Sequence, residues 1–255
     1  MDDIIKKWLI TLQDVLTINK VNLYTLLFAD DQIIIGRSED EVQKSVHKLS
    51  QVADSYGMKI STDKTKVMAF QGLQPKRAKI VIYGKTIEQI NEFQYLGYNL
   101  GYGKSNDVQL KLNRFRQFCG TIQRTLKHKV QQHTLLKFYK IIAVPLLLYG
   151  CENWTLTADQ LRQIESSEMR FLRFVAGCTL LDHRRSEDIR RELNVKPITS
   201  VIEEYRVNWR DHVQRMPPTR VAKAVLNYNP TGKRNIGRPM KRWRDQFWDG
   251  TGQTA

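Results

Sequence analysis

Two aspartates stand side by side between apolar runs in LLFADDQIII, residues 26–35. Burying one carboxylate is costly unless it is paired or binds metal, and burying two like charges together costs more. Asp30 and Asp31 therefore have two readings. One is an exposed tight turn at the end of a hairpin, where aspartate is common. The other is a divalent-metal site. Two-metal nucleotidyl transfer uses carboxylates on rigid elements to hold ions about 3.5–4 Å apart. Mg²⁺ takes oxygen ligands and keeps several waters, so one or two carboxylates plus substrate phosphates suffice to hold it. The dipeptide alone does not decide, but the LLF and QIII flanks weigh toward the metal.

The elements that must position this pair follow from hydrophobic spacing. The flanks read as strands of a β-hairpin. They lack alternation, so both faces are expected to be covered. A short amphipathic helix is expected over 4–16. After the hairpin, Ser38 and Glu41 have the spacing of a capping box. Val42, Val46, Leu49, Val52, Ala53 and Tyr56 continue at helical spacing until Gly57 ends the helix. Strands are expected over 66–70, 79–83, 86–90 and 93–100. Gly101, Gly103, Ser105 and Asn106 mark a boundary. Beyond it the pattern is helical. Leu112, Phe115, Cys119, Ile122 and Leu126 form one helix face, and a second helix spans about 135–148, kinked at Pro145. Thr157 and Gln160 have capping-box spacing and open a helix that stops near Gly177. Shorter helices are expected at 186–193, 199–215 and 218–227. Met58, Met68 and Met169 read as core fillers, and Asn153-Trp154 as a packing corner. The fold class is thus α+β followed by all-α.

Charge is uneven. Residues 1–100 carry 13 Lys/Arg and 12 Asp/Glu, net +1, whereas residues 101–255 carry 28 and 14, net +14. A segment that basic is expected to bind polyanions, nucleic acid first and an acidic membrane surface second. The plain alternative is a solvated basic surface. Cys119, Cys151 and Cys178 are widely spaced, and no CxxC occurs. Neither a zinc module nor a disulfide framework is indicated, and a reducing compartment fits. The five histidines form no visible ligand set. The N-terminus has early acids and no long apolar core, unlike a signal peptide. The longest apolar run, 141–149, is too short to span a bilayer. An intracellular location, nuclear or cytoplasmic, is expected, with no membrane partner and no secretion.

LLFADDQIII is similar to the F/Y-x-D-D box of reverse transcriptases, motif C of the palm. SYGMKISTDKTKVMAF resembles motif D. EFQYLGYNL resembles the strand pair that grips the primer, centred on Tyr95, Leu96 and Gly97. LKFYKIIAVPLLLYGCENWTL resembles the helical thumb of non-LTR (LINE-like) retrotransposon polymerases, and GRPMKRWRDQF resembles their basic tail. The ordered set covers about residues 1–250. The resemblance implies a partial palm over 1–102, a helical thumb over 103–180 and a basic C-terminal region over 181–255. It implies an RNA-directed DNA polymerase with RNA template, DNA primer or target, and two Mg²⁺ ions. Asp30 and Asp31 match its metal-binding carboxylates. Lys64 or Lys66 matches a motif D lysine that assists the nucleotide's pyrophosphate, the alternative for both being a solvated turn.

The same resemblance calls for an earlier strand with a further aspartate (motif A) and a glycine-containing loop and helix (motif B), many tens of residues upstream. Only 29 residues precede Asp30, Asp14 is too close to serve, and Asp2 and Asp3 lie at the chain end. The expectation is a fragment of the parent polymerase, inactive alone and holding Mg²⁺ weakly or not at all. Alternatives are a non-catalytic nucleic-acid-binding remnant or the inert product of a decayed element. Arg170, Arg173, Arg184 and Arg185 are candidates for phosphate contact, against ordinary pairing with Glu187, Asp188 and Glu192. Arg238, Lys241, Arg242, Trp243 and Arg244 add clustered charge with an aromatic suited to base stacking. The alternative for Trp243 is a helix face packed on its domain.

Overall fold

In this computed structural model, the residues described are 2–12, 16–70, 76–101, 106–126, 129–226, 228–229 and 242–247. The chain divides into two compact units. The first contains Met1–Gln94, Leu100–Lys104 and Val213–Gly232; the second contains Tyr95–Asn99, Ser105–His212 and Lys233–Ala255.

The first unit begins with α1 (Asp2–Thr11), which stops short of the helix expected over 4–16. Two hairpins follow, β1 (Leu16–Ile18) with β2 (Val21–Leu23), and β3 (Thr25–Phe28) with β4 (Asp31–Ile34). The β1–β2 pair was not legible in advance. Its turn is Asn19-Lys20, with φ of 46° and 67°, the two left-handed residues a tight hairpin needs. α2 (Glu39–Ser55) then runs through the unit. Its entry is a variant of the expected capping box: Ser38 Oγ accepts from Glu41 N, while Glu41 Oε2 accepts from Arg37 N at 2.8 Å. At the far end Met58 N reaches Ala53 O and Gly57 N reaches Asp54 O, both 3.0 Å, with Gly57 at φ 71°.

One side of α2 buries Leu49 with Ile4 and Trp8 of α1, and Trp8 Nε1 donates to Ser45 O at 2.8 Å. Val46 packs on Ile80, Ile82 and Ile87, which surround β5 (Val81–Ile82) and β6 (Lys85–Thr86). Gln43 takes the place of a neighbouring strand: its side-chain amide donates to Val81 O and accepts from Val81 N, at 2.9 and 2.7 Å. The strand expected over 66–70 is a single parallel bridge, Val67 with Gln89. The extended segment expected over 93–100 is a hairpin, β7 (Glu92–Tyr95) with β8 (Tyr98–Gly101). Leu96 and Gly97 turn it at φ 48° and 76°. Met58 is 43% exposed and is not a core filler.

The second unit is helical. α3 (Asp107–Leu126) buries Leu112, Phe115, Cys119 and Ile122, the stripe expected from spacing. α4 (Gln132–Phe138) and α5 (Val144–Leu148) are joined by a π-helical turn, Tyr139–Ala143, where Val144 N bonds Tyr139 O. That widened turn falls just before Pro145, whose ring would clash with the carbonyl four residues back in a regular α-helix. α6 (Ala158–Val175) opens on a complete Thr157–Gln160 capping box. α7 (Ser186–Glu192) and α8 (Ile198–Arg215) follow, the last turn of α8 entering the first unit, where α9 (Val221–Leu226) lies. One core runs from Val108 to Ile202 and includes Met169, Cys151 and Trp154. It continues across residue 180 without a break, so α3 through most of α8 share one body.

Candidate metal site and nucleic-acid interface

Asp30 and Asp31 lie at the tip of the β3–β4 hairpin. The register pairs Thr25 with Ile34 and Phe28 with Asp31. Ala29, in the turn, has φ 53°, a left-handed conformation that costs a non-glycine residue about 1–2 kcal/mol. Both carboxylates are exposed. The flanks are not covered on both faces as expected: Leu26, Leu27 and Phe28 are exposed, Phe28 by 62%. The sheet has two strands, and its base packs through Ile34 on the α2 cores.

The donor chemistry suits a hydrated Mg²⁺, since both residues offer carboxylate oxygens. The pair does not make a closed two-ion site. Among the described residues, no three His, Cys, Asp or Glu side chains cluster as a metal-binding group. Asp14 lies outside the described residues.

The motif D-like segment places its two lysines differently. Lys64 is exposed in a turn, whereas Lys66 bonds Glu88 at 2.6 Å and is a quarter exposed.

The Leu96-Gly97 turn is fixed on its own unit. Tyr149 Oη donates to Leu96 O at 3.1 Å. A Cβ at Gly97 would lie 2.8 Å from Tyr149 Cε1, so the ring packs closely against a glycine. Behind it is a buried polar cluster that sequence reasoning missed. Asp107 Oδ2 accepts from Lys111 Nζ and Trp154 Nε1, both at 2.7 Å, and Asp107 Oδ1 accepts from Asn99 N at 3.1 Å. The Lys111 ammonium sits 5.2, 5.5 and 5.7 Å from the rings of Tyr98, Tyr149 and Trp154. The available signal was the Asp-x-x-x-Lys spacing at the start of α3.

A second buried charge was also missed. Glu168 accepts from Tyr139 Oη at 2.8 Å and from Arg190 at 2.6 Å. Burial holds its carboxyl above the usual range, with Arg190 and Tyr139 pulling the other way.

Of the basic candidates, Arg170 and Arg185 are exposed. Arg173 donates to Ser186 Oγ at 3.3 Å, and Arg184 pairs with Glu192. Arg191 pairs with Asp188 at 3.2 Å. Arg238 and Lys241 lie outside the described residues. Arg242 and Arg244 belong to the segment 242–247. There Trp243 is half-buried, donates its indole N–H to Glu152 O and meets Phe247 edge to face at 4.8 Å. Its ring is engaged within its own unit. No described helix is long and apolar enough to cross a membrane.

Residues 1–100 match the family described as "Reverse transcriptase (RNA-dependent DNA polymerase)". Along most of its length the chain is also similar to a putative uncharacterized transposon-derived protein of Caenorhabditis elegans. The two are 26% identical over 242 residues, covering 90% of this chain and 86% of the relative. No solved structure matches. The first 100 residues are therefore reverse-transcriptase-like, and the exposed Asp30-Asp31 tip falls within them.

Proposed function

We propose that this chain is part of a retrotransposon reverse transcriptase of the non-LTR kind, with Asp30 and Asp31 as its metal-binding carboxylates. The observation that carries the reading is the match of residues 1–100, with the aspartate pair at a strained hairpin tip inside it. The relative's transposon-derived description supports the mobile-element part. In this reading Tyr95, Leu96 and Gly97 face the primer, Lys64 is the better-placed motif D lysine, and the second unit is the thumb.

Chemistry by this chain alone is not expected. Two exposed carboxylates hold a hydrated ion weakly and leave the charge of a nucleotidyl-transfer transition state under-compensated. The test is primer extension on an RNA template with Mg²⁺. The expected result is no extension; processive extension would overturn the expectation of inactivity, and extension that survives Asp30→Ala would overturn the metal assignment.

A second reading is supported by the net +14 of residues 101–255. It is nucleic-acid binding without catalysis. Affinity should then fall steeply with salt, because each phosphate contact releases counterions. Salt-independent binding would remove this reading.

A further inference from the structure

Between α3 and α6 lies a groove of about 410 Å³ that no motif above accounts for. Its lining includes three arginines, Arg116, Arg124 and Arg170, and three small residues, Gly120, Ser166 and Ser167. Among the described residues, none that lines it carries a carboxylate. The acids of α6 are engaged elsewhere: Glu165 accepts from Thr199 Oγ1 at 3.3 Å, Glu168 is buried on Tyr139 and Arg190, and Asp159 pairs with Arg162. Three cations thus share one concavity without an acid between them. Clustered like charge in a concavity favours an anion there.

Two of the three arginines also have a side-chain partner. Arg116 Nε donates to Ser167 Oγ at 2.8 Å, and that hydroxyl in turn donates to Gln163 O at 2.7 Å. The bond uses Nε and leaves the terminal nitrogens as a planar fork. Arg124 lies back along its own helix, with one terminal nitrogen 3.6 Å from where a Gly120 Cβ would stand and the other 3.5 Å from Thr121 Oγ1. Pre-organised guanidinium forks match phosphate oxygens two at a time, and less side-chain freedom is lost on binding.

We infer that the α3–α6 groove binds the phosphate groups of a polynucleotide backbone through Arg116, Arg124 and Arg170. The inference rests on the nucleic-acid reading above and gives it a place on the second unit. It adds Arg116 and Arg124, which the motif resemblance did not single out.

The test is fluorescence anisotropy with a labelled RNA–DNA duplex across a salt series, using the full chain. The probe proteins are the wild type, the triple variant R116Q/R124Q/R170Q, and R114Q. Arg114 is an exposed α3 residue outside the lining. Circular dichroism and thermal melts confirm that each variant folds.

The triple variant should bind at least about tenfold more weakly. Its log-affinity against log-salt slope should be shallower by about two units, because each phosphate it no longer neutralises removes ~0.7–0.9 from the slope. R114Q should stay near wild type. A triple variant equal to wild type, with wild type still binding steeply, overturns the groove and leaves the nucleic-acid reading intact. A wild type that binds no duplex overturns both. Equal competition by inorganic phosphate at matched phosphate concentration would assign the groove to a free anion. Equal competition by polyglutamate would assign it to an acidic peptide. Either result overturns the polynucleotide assignment.

Discussion

Gly97 shows how one position joins backbone and packing. Its φ of 76° disfavours any L side chain, and an added Cβ would meet the Tyr149 ring at 2.8 Å. Gly97→Ala should destabilise the chain by about 1–3 kcal/mol, read as a lowered melting temperature. Pairing it with Tyr149→Ala should remove the clash but not the backbone strain, so the losses should not add. Equal losses from Gly97→Ala and an exposed surface substitution would refute the account. The cysteines give a chemical readout. Burial pushes the thiols of Cys119 and Cys151 up to about 12, whereas Cys178 is only half-buried. Thiolate is the reactive form. Near neutral pH, a maleimide should modify the folded chain once, at Cys178, and three times after denaturation. Mass spectrometry reads this directly, and rapid labelling of Cys151 in the folded state would contradict it.

At the scale of elements, two buried ion pairs tie segments together. Asp107 joins α3 to the Trp154 corner and to Asn99 at the start of β8. Asp107→Asn keeps the shape but leaves the Lys111 ammonium, 4% exposed, without its counter-charge. The expected cost is about 3–5 kcal/mol, and the double variant with Lys111→Met should recover part of it. Glu168 joins α6 to the π-helical turn and to α7 through Tyr139 and Arg190. Its carboxyl is held above the ordinary value, chiefly by burial. A group raised in the folded state contributes stability below its unfolded pKa, and that contribution is lost as pH rises through the folded pKa. Arg190→Ala removes a group that lowers this pKa, so the variant's carboxyl should rise further. Its deficit against wild type should widen as pH rises through the folded-state pKa of Glu168, which lies above the ordinary glutamate value, and narrow in acid, where the carboxyl takes a proton. Arg191→Ala, whose partner Asp188 is surface-exposed, should change stability by no more than about 0.5 kcal/mol at any pH. Thermal melts across pH decide both.

Across the whole molecule, burial is unequal. Among the described residues, the second unit has one cluster of 22 buried side chains, whereas the first has clusters of 4 and 3. Opening free energy follows local burial and packing. Hydrogen exchange should therefore be slowest in α3 and α6 and faster by orders of magnitude in β3–β4, whose apolar face is exposed. Comparable protection of both would show that the hairpin is covered by something not described.

The sequence by itself determined what is local. Helical spacing gave the stripe of α3, the Thr157–Gln160 box gave the start of α6, and Gly57 and Gly177 gave two helix stops. These depend on residues within a few positions of each other. Periodicity and caps made most of the second unit legible, and one short box, LLFADDQIII, made the candidate metal pair legible. Tertiary structure alone decided the rest. Lys111 is buried because Asp107 and three aromatic rings, most of them from distant segments, converge on it. Leu26, Leu27 and Phe28 read as buried but are exposed, because a two-stranded sheet anchored at its base has nothing to lay over them among the described residues. Arg116, Arg124 and Arg170 are 8 and 46 residues apart in successive steps, and only the packing of α3 on α6 brings them into one groove. Whether a charge is solvated, paired or gathered with others depends on which chain segments meet, and sequence spacing does not encode that.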